Sequence, residues 1–274
     1  MNGNSLSAIR QLGAARALFE NLGKPLRIAT TGVGTLVGTF LGFQGLDAAS
    51  RFFSEHFSTF LGFLDVSIFS RPQNFMEKGT RFLADFATLV RASSSTGKRI
   101  FVNSQQFFAY LSDQFSFLEE KAGDIPVFAS VFDIHSESMQ WRQIHKPSDL
   151  RAPLAIVPYI EPCTQGKKVF VSTQSFQGVC PRFPEEKEIS LHLCLDSTSE
   201  KDFLGSASSF EILLSCDKMR TQELKRRALS GFDRVINLWE PSSSEDARFI
   251  SLFQQGFVQA SVQVHKWKKQ NLFL

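Results

Sequence analysis

The chain contains few residue groups whose types and spacing could do chemistry, and the first of them is Ser95-Thr96-Gly97-Lys98. A Gly-Lys pair suggests a phosphate-binding loop, in which backbone amides hold the phosphates and a hydroxyl binds magnesium. That template requires Gly five positions before the pair and Ser or Thr after the lysine, but Ala92 and Arg99 occupy these positions. We therefore expect no nucleotide binding and no phosphoryl transfer here.

A second group could bind a metal ion. Asp133 and His135 would point to one face of a strand, and His145 and His192 offer further imidazoles. The facial triad of non-haem iron enzymes normally reads His before the carboxylate, and here the order is reversed. A strand with an exposed polar face explains the same residues, so we predict no metal and no other cofactor.

The cysteines and serines suggest no nucleophile. No Cys-x-x-Cys pair links Cys163, Cys180, Cys194 and Cys216, and no G-x-S-x-G sequence occurs. Four buried, small apolar residues would explain the cysteines equally well. We therefore predict no catalytic residue. The alternative of an unrecognised enzyme stays open, because catalytic residues can come together from distant parts of a chain.

Composition favours a large buried or lipid-facing apolar surface and argues against nucleic acid. The 274 residues are 43% apolar and include 29 Phe against 2 Tyr. Phe has a large ring without a polar group, so a chain this rich in Phe needs many apolar sites. The net charge of +3 is too small to indicate a nucleic-acid partner.

An uncharged segment at residues 28–46 carries the strongest pattern. Gly34, Gly38 and Gly42 recur at every fourth position, and Gly45 follows one turn later. As one helix the nineteen residues would span about 28 Å, close to the thickness of a bilayer core. The pattern predicts a transmembrane helix whose glycine zipper packs closely against another helix, with possible self-association through the glycine stripe. A glycine-rich helix inside a soluble core, or a loop, is the alternative.

Periodicity along the chain predicts an α+β protein. A helical, membrane-associating region, residues 1–96, ends at a Ser/Thr/Gly linker, and an α+β interaction domain, residues 97–274, ends in two helices. The predicted helices are 5–22, 28–46, 51–70, 73–92, 100–121, 218–238 and 245–270, and the predicted strands are 125–134, 154–160, 168–173, 188–195 and 209–216.

A basic sequence closes the last predicted helix. Lys266, Lys268 and Lys269 surround Trp267, a combination that could contact anionic lipid. Cations are also favoured at any helix C-terminus, which explains the same lysines without a membrane.

Residues 67–95 resemble a segment of chlamydial inclusion-membrane and related type III-secreted proteins. The shared features are Phe-Ser-Arg-Pro, a helix with Lys, Thr and Phe, then Ala-Asp-x-Ala-x-Leu-Val-Arg and Ser. The resemblance implies a bacterial protein that is exported without a cleaved signal and inserted in a vacuole membrane. It implies no catalytic or binding residue.

Together these patterns predict a non-catalytic, membrane-associated interaction protein, and the resemblance implies a secreted bacterial effector that is exported to a host membrane. The alternatives are a cytoplasmic, soluble α+β protein with a Phe-rich core and an unrecognised enzyme.

Overall fold

The structure, a computed structural model, describes residues 5–63, 104–120, 122–156, 160–174, 181–182, 191–196, 223–224, 226–227, 229–230, 232, 234–239 and 249–270. Its elements are helices and a mixed sheet, which confirms the α+β class. They are α1 (Ser5–Leu22), β1 (Ile28–Thr30), α2 (Gly34–Phe43), α3 (Leu46–Phe63), α4 (Ser104–Gln114), α5 (Phe117–Glu120), β2 (Val127–Asp133), β3 (Ser138–Gln143), a 3-10 turn (Pro147–Leu150), α6 (Arg151–Leu154), β4 (Cys163–Gln165), β5 (Lys168–Ser172), β6 (Leu191–Asp196), β7 (Arg234–Trp239) and α7 (Phe249–Lys269).

Strand β2 organises the larger sheet because it pairs with three other strands. The whole of β3 runs antiparallel along one edge of β2. The other edge is shared, with β1 pairing in parallel at residues 127–129 and β5 pairing antiparallel at residues 131–133. Strand β4 extends the sheet beyond β5, while β6 and β7 form a separate parallel pair. Sharing one edge brings the ends of β1 and β5 together.

The glycine-rich segment is not a single helix, so the prediction of a helix over residues 28–46 is wrong. Its first residues form β1, a turn follows, and only Gly34–Phe43 is helical before α3 begins at Leu46. All ten residues of α2 are buried within the protein. Among the helices that the structure describes, none is both long enough and apolar enough to cross a bilayer. The transmembrane prediction is therefore corrected.

The glycine stripe packs α2 onto the sheet and not onto another helix. A Cβ added at Gly38 would lie 2.5 Å from Thr30 Cγ2 and 3.1 Å from Ile28 Cγ2. One added at Gly42 would overlap the Val127 side chain and lie 2.7 Å from the Ile125 carbonyl oxygen. The spacing correctly indicates a close approach, but the glycine-zipper interpretation is wrong, because the closely packed neighbours of Gly38 and Gly42 are β1, β2 and the residues just before β2.

We expect Gly38→Leu to reduce the free energy of unfolding by about 3 kcal/mol, because the added side chain must displace buried strand residues. Chemical denaturation measures this loss. Gln44→Leu is the control, since Gln44 is exposed at the end of the same helix and should change stability by less than about 0.5 kcal/mol. A zipper between chains predicts instead that Gly38→Leu changes oligomeric state at unchanged stability, which size-exclusion chromatography would reveal.

Phenylalanine rings fill the core between α2, α3 and α5. Phe40 stacks on Phe52 with a centroid distance of 4.1 Å, and its edge contacts with Phe53 and Phe115 have centroid distances of 5.9 and 4.8 Å. Phe117 adds a tilted contact at 5.0 Å. Such pairs add a modest stabilisation to the burial of their large area. The Phe-rich composition therefore serves a buried core here.

Helices α1 and α7 are far apart in the sequence but pack very closely together. A Cβ at Gly13 would overlap the Phe253 carbonyl oxygen, and one at Gly256 would overlap the Arg10 carbonyl oxygen. The Arg10 guanidinium Nε donates to Gln255 Oε1 at 3.1 Å across the same contact. These two glycines allow the backbones to touch, which is the role that the sequence pattern assigns to the stripe in α2.

Several predicted elements are present with shifted ends, and two besides the helix at 28–46 are wrong in part. Strands β2, β5 and β6 confirm the strands predicted at 125–134, 168–173 and 188–195. The strand predicted at 154–160 is wrong at its start, because Arg151–Leu154 is helical. The helix predicted over 218–238 ends in strand β7, which pairs with β6. The predictions for 73–92, the linker at 93–97 and 209–216 lie outside the described residues.

Contacts cross the predicted domain boundary at residue 96. Strand β1 pairs with β2, and α1 packs along α7. One buried cluster contains residues from both sides of the boundary, including Leu36 and Val127. The division into residues 1–96 and 97–274 stays a prediction. A test of it must take into account that the two parts share a sheet.

Candidate functional site at the turn between β1 and α2

The candidate site lies where two strands meet end to end. In the parallel pairing Thr30 lies opposite Ala129, and in the antiparallel pairing Ser172 lies opposite Val131. Both strands therefore end beside Ser130, the residue between those two partners. The turn that follows β1 and the residues that follow β5 are brought into contact at this point.

Four hydroxyl side chains form a buried network at this junction. Thr31 Oγ1 lies 2.8 Å from Thr173 Oγ1 and 3.2 Å from Ser172 Oγ, and Thr173 Oγ1 also bonds to Ser130 Oγ. The Ser130 hydroxyl donates to the Thr30 carbonyl at 3.3 Å. Each of the four residues is at most 2% exposed. The network ties the end of β1 to β2 and β5.

The network lacks the groups that acid–base chemistry requires. Among the described residues its partners are hydroxyls, backbone carbonyls and the amide of Gln174, which donates to Ser172 Oγ at 3.3 Å. A hydroxyl becomes a nucleophile only when an adjacent base takes its proton. Carboxylate and imidazole groups are absent from these hydrogen bonds, so the network is suited to holding the strands and not to proton transfer.

The turn itself has an unusual backbone at Gly32. Its φ of +56° lies in the left-handed region, which residues with a side chain adopt at a cost. The Thr35 amide donates to the Gly32 carbonyl at 3.0 Å as α2 begins. A Cβ at position 32 would overlap Gln174 Oε1. The Gln174 side chain thus occupies the space in front of Gly32.

Two polar atoms near the start of α2 have no hydrogen-bond partner within the described part of the chain. They are Thr35 Oγ1 and Gln174 Oε1, and Thr35 is fully buried. Leaving a buried acceptor unpaired is unfavourable, and such atoms in native proteins call for an explanation. These two oxygens lie in the first turn of α2 and in front of Gly32.

Asp133, the carboxylate that the sequence suggests for metal binding, is engaged in local hydrogen bonds. Asp133 Oδ1 accepts hydrogen bonds from the backbone amides of His135 and Ser136 at 3.0 and 3.4 Å, so it caps its own turn. Loss of solvation raises the pKa of Asp133, but hydrogen bonds from Ser136 and His135 and the charge of Lys168 bring it below its ordinary value. Among the described residues no three His, Cys, Asp or Glu side chains are placed to hold a metal ion.

The cysteine whose side chain the structure describes, Cys163, lacks the environment of an activated thiol. It is a half-buried free cysteine on β4. Burial raises the pKa of its thiol, and the opposing charges of Arg142 and Arg151 do not reverse that shift. A reactive cysteine needs a lowered pKa, because the thiolate is the nucleophile.

The basic end of α7 does not present its aromatic residue to solvent. Trp267 is 5% exposed and packs with Ala17, Ile236 and Val264 in a second core cluster. Lys266, Lys268 and Lys269 are exposed. Only the lysines therefore remain available for the lipid contact that the sequence suggests.

Sequence reasoning missed the junction because it searched for serine. In the G-x-S-x-G sequence the nucleophile lies on a sharp turn between a strand and a helix. The corresponding residues here are Thr30-Thr31-Gly32-Val33-Gly34, which keep only the last glycine. The available signal was a pair of glycines directly after a short β-branched run, and it is too common to identify a turn of this kind without the fold.

Comparison with known proteins gives little further guidance. No protein-family model matches the chain, and no curated protein matches it in sequence. Among solved structures it is similar to VipD from Legionella pneumophila, with 10% sequence identity and a TM-score of 0.45. The match covers 97% of this chain and 66% of that one. At this level of similarity we transfer no residue role.

Proposed function

We propose that this chain is a non-catalytic interaction protein. The observation that carries the proposal is the composition of the buried junction, where four hydroxyls hydrogen-bond to each other and to backbone groups without a base. Burial below 2% exposure for Thr31, Ser130 and Ser172 also keeps their hydroxyls from any substrate. This hydroxyl network therefore connects the strands β1, β2 and β5.

The outer side of α7 supports binding as the mode of action. Ile250, Val258 and Val262 of this helix are 67%, 57% and 50% exposed. The exposed lysines follow at its C-terminal end. Apolar side chains bordered by charge on one helix face are a common feature of surfaces that receive a partner.

The finer proposal, a secreted bacterial effector, draws on the resemblance of residues 67–95 to type III-secreted inclusion-membrane proteins. A secretion assay tests it, in which residues 1–96 are fused to a reporter and expressed in a bacterium with and without a functional type III system. We expect export that depends on the system. Equal reporter levels outside both strains would contradict the effector proposal and leave the non-catalytic proposal standing on its own evidence.

We expect the full chain to show no nucleophile-dependent reaction. Purified protein would be treated with a fluorophosphonate probe and with p-nitrophenyl esters of short and long acyl chains. The expected result is no serine or threonine labelling and no release of p-nitrophenol above a heat-unfolded control, because neither reaction proceeds without an activated hydroxyl.

Thr31→Ala and Ser172→Ala are the matched variants for this experiment. They remove the hydroxyl in the turn and one of its hydrogen-bonding partners, and neither should change the background rate. Stoichiometric labelling of the folded chain that either substitution abolishes would overturn the proposal and establish the alternative, an enzyme that uses this junction.

A further inference from the structure

We propose that the turn between β1 and α2 is a nucleophile elbow in which glycine replaces the nucleophile and Gln174 fills the space of the missing side chain. The inference rests on the proposed function and deepens it, because it explains why a turn with the form of a catalytic site would be inactive. In an active elbow of this kind, the side chain at position 32 would be the nucleophile that attacks an acyl or similarly activated carbon.

The backbone supplies the first argument. A nucleophile elbow is a sharp, strained turn that joins a strand to a helix and displays one residue at its apex. Here β1 ends at Thr30, α2 begins at Gly34, and the middle residue of the connection, Gly32, has a φ of +56°. Gly34 follows two positions later, where the motif also has glycine. The turn therefore shares with an elbow a tight strand-to-helix connection and a positive φ at its middle residue.

The second argument is the position of Gln174. Its Oε1 coincides with the place of a Cβ at position 32 and has no hydrogen-bond partner within the described residues. Burying a polar atom without a hydrogen-bond partner is unfavourable. We therefore attribute the position of Gln174 Oε1 to the space in front of Gly32 and not to a hydrogen bond. The same atom is the far end of a flexible side chain, so it can leave without moving the backbone.

The third argument is electrostatic. Residue 32 lies just before the first turn of a ten-residue helix whose axis begins at Gly34. The helix dipole stabilises negative charge at such an end. The pKa of a thiol placed there should be lowered, as is known for cysteines at helix N-termini. Thr35, fully buried with an unpaired hydroxyl oxygen, lies in the same first turn.

The test introduces a reporter nucleophile, Gly32→Cys, together with Gln174→Ala to open the space. Iodoacetamide alkylates the thiolate: a sulfur–carbon bond forms, iodide leaves, and the thiol proton goes to the buffer. Mass spectrometry of the peptide containing residue 32 gives the rate at each pH, independently of the four native cysteines. We expect a thiol pKa at least about one unit below the ordinary value of about 8.5, and therefore a several-fold faster reaction near neutral pH.

Gly23→Cys is the control for a positive φ at the opposite end of a helix. Gly23 also has a positive φ, of +85°, and open space around its Cβ position, but it follows the C-terminus of α1. A cysteine at position 23 would therefore have a similar backbone conformation but lie at the negative end of a helix dipole. The pKa of its thiol should lie near or above the ordinary value. An equal or higher pKa at position 32 would overturn the elbow proposal, whereas labelling of the unaltered chain in the hydrolase assay would overturn the non-catalytic proposal.

A stability cycle keeps the inference testable if the cysteine variant folds poorly. Gly32→Ala should lower the melting temperature, and Gln174→Ala should restore part of that loss in the double variant, because the overlap with Gln174 is then removed. Additive shifts in melting temperature would mean that Gln174 does not fill the side-chain space at position 32, and would overturn this part of the proposal.

Discussion

Replacing Gly256 by alanine is expected to lower the free energy of unfolding by about 2–4 kcal/mol, from overpacking at the contact between α1 and α7. The sign is the diagnostic feature. Gly256 lies inside a 21-residue helix, where alanine would ordinarily be favoured by up to about 1 kcal/mol. The Cβ would overlap the Arg10 carbonyl oxygen, which belongs to the backbone and cannot rotate away.

Urea denaturation followed by circular dichroism measures the change. Gln254→Ala is the control, because Gln254 is exposed on the same helix and its replacement should alter stability by less than about 0.5 kcal/mol. Gly13→Ala should cost a similar amount to Gly256→Ala, since its Cβ would overlap the Phe253 carbonyl oxygen on the facing helix. A stabilised Gly256→Ala variant would show that α1 and α7 do not approach this closely.

Residues 97–274 expressed alone are expected not to fold. The fragment lacks β1, which pairs with β2, and α2, whose buried side chains belong to the same core as Val127 and Phe115. It also exposes the face of α7 that α1 covers in the whole chain. Exposed strand edges and apolar faces of this kind lead to aggregation. Size-exclusion chromatography and circular dichroism of the purified fragment would measure the outcome.

Co-expression of residues 1–96 as a separate polypeptide is the matched control, because it restores the missing elements without the covalent connection. We expect it to recover part of the soluble, folded material. A fragment that is monomeric and unfolds cooperatively on its own would instead confirm the domain boundary that the Ser/Thr/Gly linker predicts.

The candidate site shows where sequence reasoning ends. Periodicity predicts β2 and β5 separately, but it gives no indication that they pair or that β1 shares an edge of β2 with β5. The hydroxyls of Thr31, Ser130 and Thr173 come together only through that pairing. In the sequence they are ordinary polar residues separated by about a hundred and by 43 positions.

The glycine stripe shows the same division. Spacing at every fourth residue determines that one face of α2 is small and that something approaches it closely, because helix periodicity is a local property. Whether the neighbour is a helix in lipid or a strand in a core depends on which distant segment folds against that face. The uncharged length and the glycine spacing favoured the membrane, since a buried helix and a membrane helix can share both features.

The sequence by itself determined the α+β class, the strands β2, β5 and β6 and the long terminal helix, since each depends on local periodicity and composition. Only the tertiary structure decided that the glycine stripe lies on a sheet, that Trp267 is buried, and that Gly32 occupies the apex of a strained turn facing Gln174. These features depend on contacts between residues far apart in the chain, and local propensities carry no information about which distant surfaces will meet.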